Sequence, residues 1–210
     1  PHYRTVGAGV PAAPGASVDA AIAQAAHDVM CALLPARASD FDAALKDSLA
    51  EIPDGAWKTR GIETGGVADA AILALRRADG ADRKVDYKAG TKAGQYRPTP
   101  PDFTPAIYPQ WGTVKPFALS SGDQFRPSPP PKTADARARF DEAEIAKVGG
   151  KDGGVRTDEQ SEIARYWYEF SSRGWNRIAR VIAGRHNLDT WESARLLALV
   201  NIGMADGFIA

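Results

Sequence analysis

Apolar residues recur along most of this chain with the spacing of an α-helix, and the pattern is strongest in the last segment. Residues 194–210 are apolar on almost every side, so we expect the most buried helix of the fold here. Asp189 followed three residues later by Glu192 forms a capping box, which places the start of this helix. Three polar residues interrupt the segment, and a charge at the centre of a bilayer costs about 2.5 to 3.5 kcal/mol, which argues against a membrane span. They are Arg195, Asn201 and Asp206.

Three further helices with short connections are predicted in residues 17–78 and should form an antiparallel cluster. Ser17 can cap a helix that reaches residue 34, and a second helix covers residues 39–52. A third covers residues 55–78, with Asp54 as its cap. Three glycines inside the third helix each reduce helix propensity by about 1 kcal/mol, which suggests close helix packing or a kink. They are Gly61, Gly65 and Gly66.

Residues 79–132 follow a different pattern, in which prolines alternate with aromatic residues. Ten of the fifteen prolines of the chain lie between Pro98 and Pro131. The aromatic residues among them are too numerous for a disordered linker, so we predict an ordered, irregular segment that wraps over the helices. The aromatic side chains either fasten this wrap to the core or line the mouth of a ligand site. They are Tyr96, Phe103, Tyr108, Trp111, Phe117 and Phe125.

Four helices are predicted in the remaining residues, 133–210. A short charged helix ends near residue 148, and Thr157 with Gln160 then forms a second capping box. Another helix covers residues 174–187 and is followed by the final one. The side chains that should face inward after the second capping box are Ile163, Tyr166, Trp167 and Phe170.

The predicted fold is an all-α helical bundle in one unit, since seven helical patterns and no convincing sheet pattern occur. This unit divides into an extended arm (1–16), a three-helix cluster (17–78), the wrap (79–132) and four helices (133–210). Its 210 residues, 44% of them hydrophobic, are enough to bury a core. Lys plus Arg equals Asp plus Glu at 26 each, so no net charge favours nucleic acid or an anionic membrane as a partner.

Candidate catalytic residues do not converge in the sequence. The three histidines stand on different elements, none forms the H-x-x-x-H pair of a helical zinc site, and no Cys–His spacing stands out. They are His2, His27 and His186. Cys31 is the single cysteine, so an internal disulfide is excluded and a buried, unreactive thiol is expected. Glu162 and Glu169 have the chemistry of an acid and a base, but on an acidic helix face they should be solvated or salt-bridged.

Nine short segments, in order along the chain, form a pattern that covers nearly its full length. The first are PHYRT at 1–5, AAHDVMCALLP at 25–35 and FDAALKDSLAEIPDG at 41–55. The wrap contains GQYRPTPP at 94–101, PQWGTVKPFAL at 109–119 and DQFRP at 123–127. The last are RTDEQSEIARYW at 156–167, WNRIA at 175–179 and ARLLALVNIGMAD at 194–206. Together they resemble the middle portion of bacterial proteins in the vanadium-dependent haloperoxidase and type-2 phosphatidic acid phosphatase superfamily.

This resemblance implies an α-helical fold around a pocket for a tetrahedral or trigonal-bipyramidal oxyanion. In peroxidase members the anion is vanadate, which binds hydrogen peroxide and oxidises halide; in phosphatase members it is phosphate, which a histidine attacks. Both chemistries need several cationic and N–H donors around the anion. Chloroperoxidase-like members place a carboxylate just after a Tyr-Trp pair near the pocket, which makes Glu169, after Tyr166 and Trp167, the candidate for such an acid.

The anion ligands of the relatives have no counterpart in this sequence. In those proteins a lysine, the arginine of an F-W-R-P segment, a Ser-Gly-His segment and further Arg and His ligands follow the helix that resembles residues 194–210. The resemblance therefore assigns no catalytic, cofactor-binding or metal-binding residue here. We expect an internal piece of a longer bacterial protein, secreted or periplasmic rather than cytoplasmic, that supplies the scaffold of a haloperoxidase-like enzyme and is inactive alone.

Two alternative functions and several partners stay open from the sequence. The same scaffold could serve an acid phosphatase of the superfamily, which hydrolyses phosphate monoesters. In the relatives, the residues that distinguish the two activities come after the helix that resembles residues 194–210. The chain could instead be a non-catalytic helical subunit or interaction protein in a larger assembly. The expected partner is N- and C-terminal polypeptide of the same protein, or another chain or second copy, packed on residues 194–210.

Overall fold

Seven α-helices and one long irregular loop make up the chain in a computed structural model that describes residues 9, 11, 13–92, 94–151 and 154–210. No β-strand occurs within these ranges, which confirms the predicted all-α class. The helices are α1 (Val18–Leu33), α2 (Ala38–Ala50), α3 (Ala56–Arg76), α4 (Ala136–Val148), α5 (Asp158–Trp167), α6 (Ser171–Arg185) and α7 (Thr190–Ile209). Single 3-10 turns cover Pro35–Arg37 and Trp111–Thr113. Most of the predicted extended arm, including His2, lies outside the described residues.

Side-chain caps fix the beginnings of three helices as the sequence predicts. Ser17 accepts the Ala20 N–H at 3.2 Å at the start of α1, and both predicted capping boxes form, before α5 and before α7. The predicted cap of α3 is wrong, because Gly55 occupies the N-cap position without a side-chain bond. The Asp54 carboxylate instead pairs with Lys58 Nζ at 2.9 Å, one turn into the helix.

α1 is the centre of the predicted three-helix cluster, with α2 antiparallel to it and α3 packed on it in parallel. α3 approaches closely because its glycines face α1. A Cβ on Gly61 would lie 2.5 Å from the Ser17 carbonyl oxygen, and one on Gly65 would lie 2.6 Å from that of Ala21. Ala20, in the same interface, is 0% exposed. Since α3 runs unbroken through these glycines, close packing rather than a kink is the reason for them.

α6 and α7 form an antiparallel helical hairpin joined by residues 186–189. Asn176 and Asn201 exchange side-chain amide bonds across it, at 3.0 and 2.9 Å. This pairing sets the register, so that the beginning of α6 lies beside the end of α7. α6 starts at Ser171, three residues before the predicted start at Gly174, which is buried inside the first turn. At the other end of the hairpin, α7 packs against α1.

The loop between α3 and α4 is anchored around its middle. Gln110 and Val114 are buried, and the Gln110 side-chain amide donates to the Ala81 carbonyl at 2.7 Å. The Lys115 N–H donates to the Asp79 carbonyl at 2.8 Å. Four of the aromatic residues of the predicted wrap are 49–72% exposed, so they do not fasten the loop to the core. They are Tyr96, Phe103, Tyr108 and Phe125.

α7 is less buried than its apolar sequence predicts. Leu199 and Phe208 are 49% and 67% exposed, and the buried residues of this helix are Asp206 and Ile209, whereas α3 buries three residues. The prediction that α7 is the most buried helix is therefore wrong. α6, α1 and the Trp111–Thr113 turn cover only part of its circumference. The predicted inward-facing side chains after the second capping box are exposed too: Ile163, Tyr166, Trp167 and Phe170.

The chain exposes much more surface than a compact monomer does. Its accessible surface is 16040 Å², whereas a compact monomer of 22.4 kDa exposes about 9,400 Å². The buried apolar side chains in the described residues are small in number: Ala20, Ile52, Val114, Ala179 and Ile209. None of the helices in the described part of the chain combines the length and apolar character needed to cross a lipid bilayer.

Candidate functional site

The last turn of α7 holds the loop through one buried carboxylate. Asp206 is 5% exposed and accepts three consecutive backbone N–H groups, from Phe117 at 2.6 Å, Ala118 at 2.7 Å and Leu119 at 3.0 Å. Burial acts to raise the pKa of Asp206, but these N–H groups and the charge of Arg76 outweigh it, so the pKa lies below its ordinary value. Asp206 is therefore an ionised side chain that is buried in the contact between α7 and the loop.

Arg76, in the last turn of α3, also holds this part of the loop. Its guanidinium lies 3.8 Å from the centre of the Phe117 ring and donates to the Pro116 carbonyl at 3.2 Å. It also pairs with Asp79 at 2.7 Å, and both side chains of this pair are only 14% exposed. The buried Nε of Arg76 has no acceptor within the described part of the chain. The cation thus stacks on the ring next to the backbone N–H groups that bind Asp206.

These contacts make a concave row of N–H donors, the kind of backbone arrangement that binds anions in proteins. Here the anion is the internal carboxylate of Asp206. The arrangement connects segments that are almost ninety positions apart, since Phe117 and Asp206 are separated by 89 residues. It therefore fixes where the loop lies relative to the end of α7.

Glu169 lies between α5 and α6, at the same end of the helical hairpin as the end of α7. Its carboxylate accepts from Arg177 Nη2 at 2.6 Å, and this guanidinium lies 5.6 Å from the centre of the Tyr166 ring. Glu169 and then Tyr166 raise the pKa of Arg177. Glu169 is thus salt-bridged, one of the two states expected of it, but it lies beyond the end of α5 rather than on that helix. Its role beside an anion pocket stays a prediction.

Two open clefts flank this region. One, of about 500 Å³, is lined by residues 167–170 and Arg173. The other, of about 430 Å³, brings Lys151, Arg156 and Arg165 together beside the glycines that follow α4. Arg156 donates to the carbonyls of residues 148, 150 and 151, so its guanidinium closes the end of α4.

The residues of these clefts do not fit a vanadate or phosphate site. Such an anion needs several free cationic or N–H donors that converge on one point. The first cleft has Arg173 as its single cation, Arg156 of the second donates to three carbonyls, and among the described residues no histidine lines either cleft. That this chain supplies no anion ligand stays a prediction.

The other predicted candidates lie on separate elements. Glu162 is exposed on α5 and His186 follows α6. His27 and Cys31 lie one turn apart on α1, with Cys31 Sγ 3.5 Å from His27 Nε2. The sequence was interpreted as having no notable Cys–His spacing, which missed this pair, although its H-x-x-x-C spacing could have indicated it. Cys31 is half-buried rather than buried, so the predicted inert core thiol is only partly enclosed.

Comparison of this chain with protein-family models, with curated proteins and with solved structures gave no match.

Proposed function

We propose that this chain is the scaffold portion of a vanadium-dependent haloperoxidase-like protein, and that polypeptide packed on the end of α7 supplies the oxyanion ligands. The observation that supports this is the contact between Asp206 and residues 117–119. It joins two of the segments on which the resemblance depends, residues 109–119 and 194–206, which are far apart in sequence. Segments that belong to one family pattern are expected to share one structural role.

Exposed apolar side chains near the end of α7 support the proposal that further polypeptide packs there. Phe208 of α7 is 67% exposed, and Tyr168 and Phe170, before α6, are 92% and 83% exposed. The beginning of α6 lies beside the end of α7, so these side chains belong to one end of the hairpin. Apolar side chains gathered in this way are typical of an interface. Further polypeptide on this surface would place its own residues next to Glu169.

We infer that this chain would have a positioning role in such an enzyme, because the contacts described above hold its own elements in place. Arg76 and Asp206 hold the loop on α7, and the Asn176–Asn201 pair sets the hairpin. In the peroxidase, a bound vanadate would supply the chemistry that oxidises halide with peroxide. In the phosphatase alternative, the bound anion would be phosphate. Both alternatives use the same scaffold, and the exposed surface also suits a helical subunit of a larger assembly.

The test compares this 210-residue chain with the product of its complete gene. Each is assayed with vanadate, bromide and peroxide, and separately with a phosphate monoester. We expect no turnover by the chain alone and turnover by a longer gene product in one of the two assays, which identifies the activity. Turnover by the chain alone refutes the scaffold proposal. A folded gene product that is no larger than 22.4 kDa, or that is inactive in both assays, favours the helical subunit instead.

A further inference from the structure

Three side chains of different chemistry meet where the end of α1 faces the beginning of α2. They are His27 and Cys31 of α1 and Asp42 of α2, whose nearest ligand atoms all lie within 4.8 Å of one another. We propose that they form a binding site for a zinc-like divalent transition metal. This inference does not depend on the oxyanion site proposed above, which uses none of these residues.

The geometry of the pair on α1 is already that of two ligands of one metal ion. Tetrahedral zinc has ligand distances of about 2.0–2.1 Å to nitrogen and about 2.3 Å to sulfur, which places the two ligand atoms about 3.6 Å apart. The observed distance from His27 Nε2 to Cys31 Sγ is 3.5 Å. The spacing of four residues brings both side chains to one face of α1, so the pair requires no change of backbone.

Asp42 completes the set from α2 after a small movement. Its Oδ1 lies 2.8 Å from His27 Nε2, closer than the roughly 3.4 Å between nitrogen and oxygen ligands of one tetrahedral ion. The Asp42 side chain is 68% exposed, so it can turn by this amount without disturbing the core. Its exposure also leaves a path by which an ion enters and a fourth position for water.

A second carboxylate orients the histidine as the partners of metal-binding histidines do. Asp28 Oδ1 lies 2.6 Å from His27 Nδ1, which would keep its proton when metal binds, and Nε2 faces Cys31 and Asp42. The Gln24 side-chain amide donates to both oxygens of Asp28 at 2.8 Å, which fixes this carboxylate in turn. The sequence thus provides three ligands together with the hydrogen bonds that hold the central one.

The donor set selects the kind of metal. A thiolate with an imidazole suits zinc, cobalt and related ions, whereas magnesium and calcium prefer oxygen ligands only. Without metal, His27 lies between two carboxylates and Cys31 is a thiol. Binding releases one proton from His27 Nε2 and one from Cys31 Sγ, so a divalent ion replaces two protons and the net charge of the site is unchanged.

The experiment titrates the reduced chain, without an affinity tag, with Co²⁺ and follows the near-ultraviolet absorption that reports a thiolate bound to cobalt. Cys31 is the only cysteine of the chain, so any such band belongs to it. We expect one ion per chain, displacement by Zn²⁺, and a melting temperature that rises with Zn²⁺. Cys31→Ser should abolish the band, and Asp28→Asn, which keeps all three ligands, should weaken binding about 10- to 100-fold.

The matched control is His186→Gln, which removes a histidine at the end of α6 and should leave the titration unchanged. Circular dichroism verifies that each variant is helical, and sedimentation shows whether two chains share one ion. The proposal is overturned if the wild-type chain gives no thiolate band. It is also overturned if His27→Gln and Asp28→Asn bind as tightly as the wild type, or if binding requires two chains.

Discussion

Replacing Asp206 by Asn tests how much the contact between α7 and the loop contributes to stability. Two N–H groups, of Ala118 and Leu119, point at Oδ2 and the Phe117 N–H points at Oδ1. In Asp206→Asn one oxygen becomes an NH₂ group. The NH₂ group is better placed at the Oδ1 position, since only one N–H then loses its acceptor instead of two. There it faces the Phe117 N–H and cannot accept its hydrogen.

The magnitude follows from counting hydrogen bonds. One buried N–H without an acceptor costs about 1 to 3 kcal/mol. The two remaining bonds change from charge-assisted to neutral, which weakens each by roughly 0.5 to 1 kcal/mol. Asp206→Asn should therefore lower the free energy of unfolding by about 2 to 5 kcal/mol. Without the Oδ1 acceptor, the Phe117 amide should also exchange its hydrogen faster.

The measurement is urea unfolding followed by far-ultraviolet circular dichroism, together with hydrogen exchange at residues 117–119. Asp189→Asn, on the same helix, is the matched control, because Asn caps a helix as well as Asp does and stability should stay within about 0.5 kcal/mol. If Asp206→Asn is no less stable than Asp189→Asn and the three amides stay protected, the carboxylate does not hold the loop and the reasoning is refuted.

Three more predictions concern pH, packing and surface. The pKa of Asp206 is lower in the folded than in the unfolded chain. Its contribution to the free energy of unfolding is therefore fully present above the unfolded pKa of about 3.9 and is lost as pH falls through the folded pKa. The acid unfolding curve of the wild type should consequently be steeper than that of Asp206→Asn. Gly65→Ala should lower the free energy of unfolding by more than about 1 kcal/mol, because its Cβ would collide with the Ala21 carbonyl. Gly184→Ala has nothing within 4 Å of its Cβ and should raise the free energy of unfolding by about 0.5 to 1 kcal/mol in the same urea experiment. The exposed apolar side chains near the end of α7 should make the chain bind a hydrophobic dye and self-associate in sedimentation experiments, and a monodisperse, dye-silent monomer would contradict this.

Local signals predicted the helices well because they depend on neighbours in sequence. Ser17 and the capping boxes at Asp189 and Thr157 bind N–H groups only three residues away, so the sequence contains both partners. The glycines of α3 were recognised for a similar reason, since a residue of poor helix propensity inside a helix needs a packing explanation. Element boundaries therefore agree to within a few residues.

Burial and long-range contacts could not be predicted in the same way. The periodicity of α7 indicates a helix but not which sides have neighbours, so Leu199 was expected inside and is exposed. Asp206 was noted only as an interruption of an apolar run. A buried carboxylate needs donors, which could have indicated a partner, but that its donors are the N–H groups of residues 117–119 depends on the fold. The site at His27 likewise needs α2 to bring Asp42 to it.

The separation of 89 residues between Phe117 and Asp206 also determines when their contact forms. Closing a loop of that length costs about 4 kcal/mol of chain entropy, whereas the α6–α7 hairpin closes through four connecting residues. The loop should consequently dock on α7 after the folding transition state, when the helical hairpin has already formed. Substitutions at Asp206 should then accelerate unfolding and leave the folding rate nearly unchanged. In the native protein, this docking is the step that would reverse first, releasing the loop while the helices remain folded.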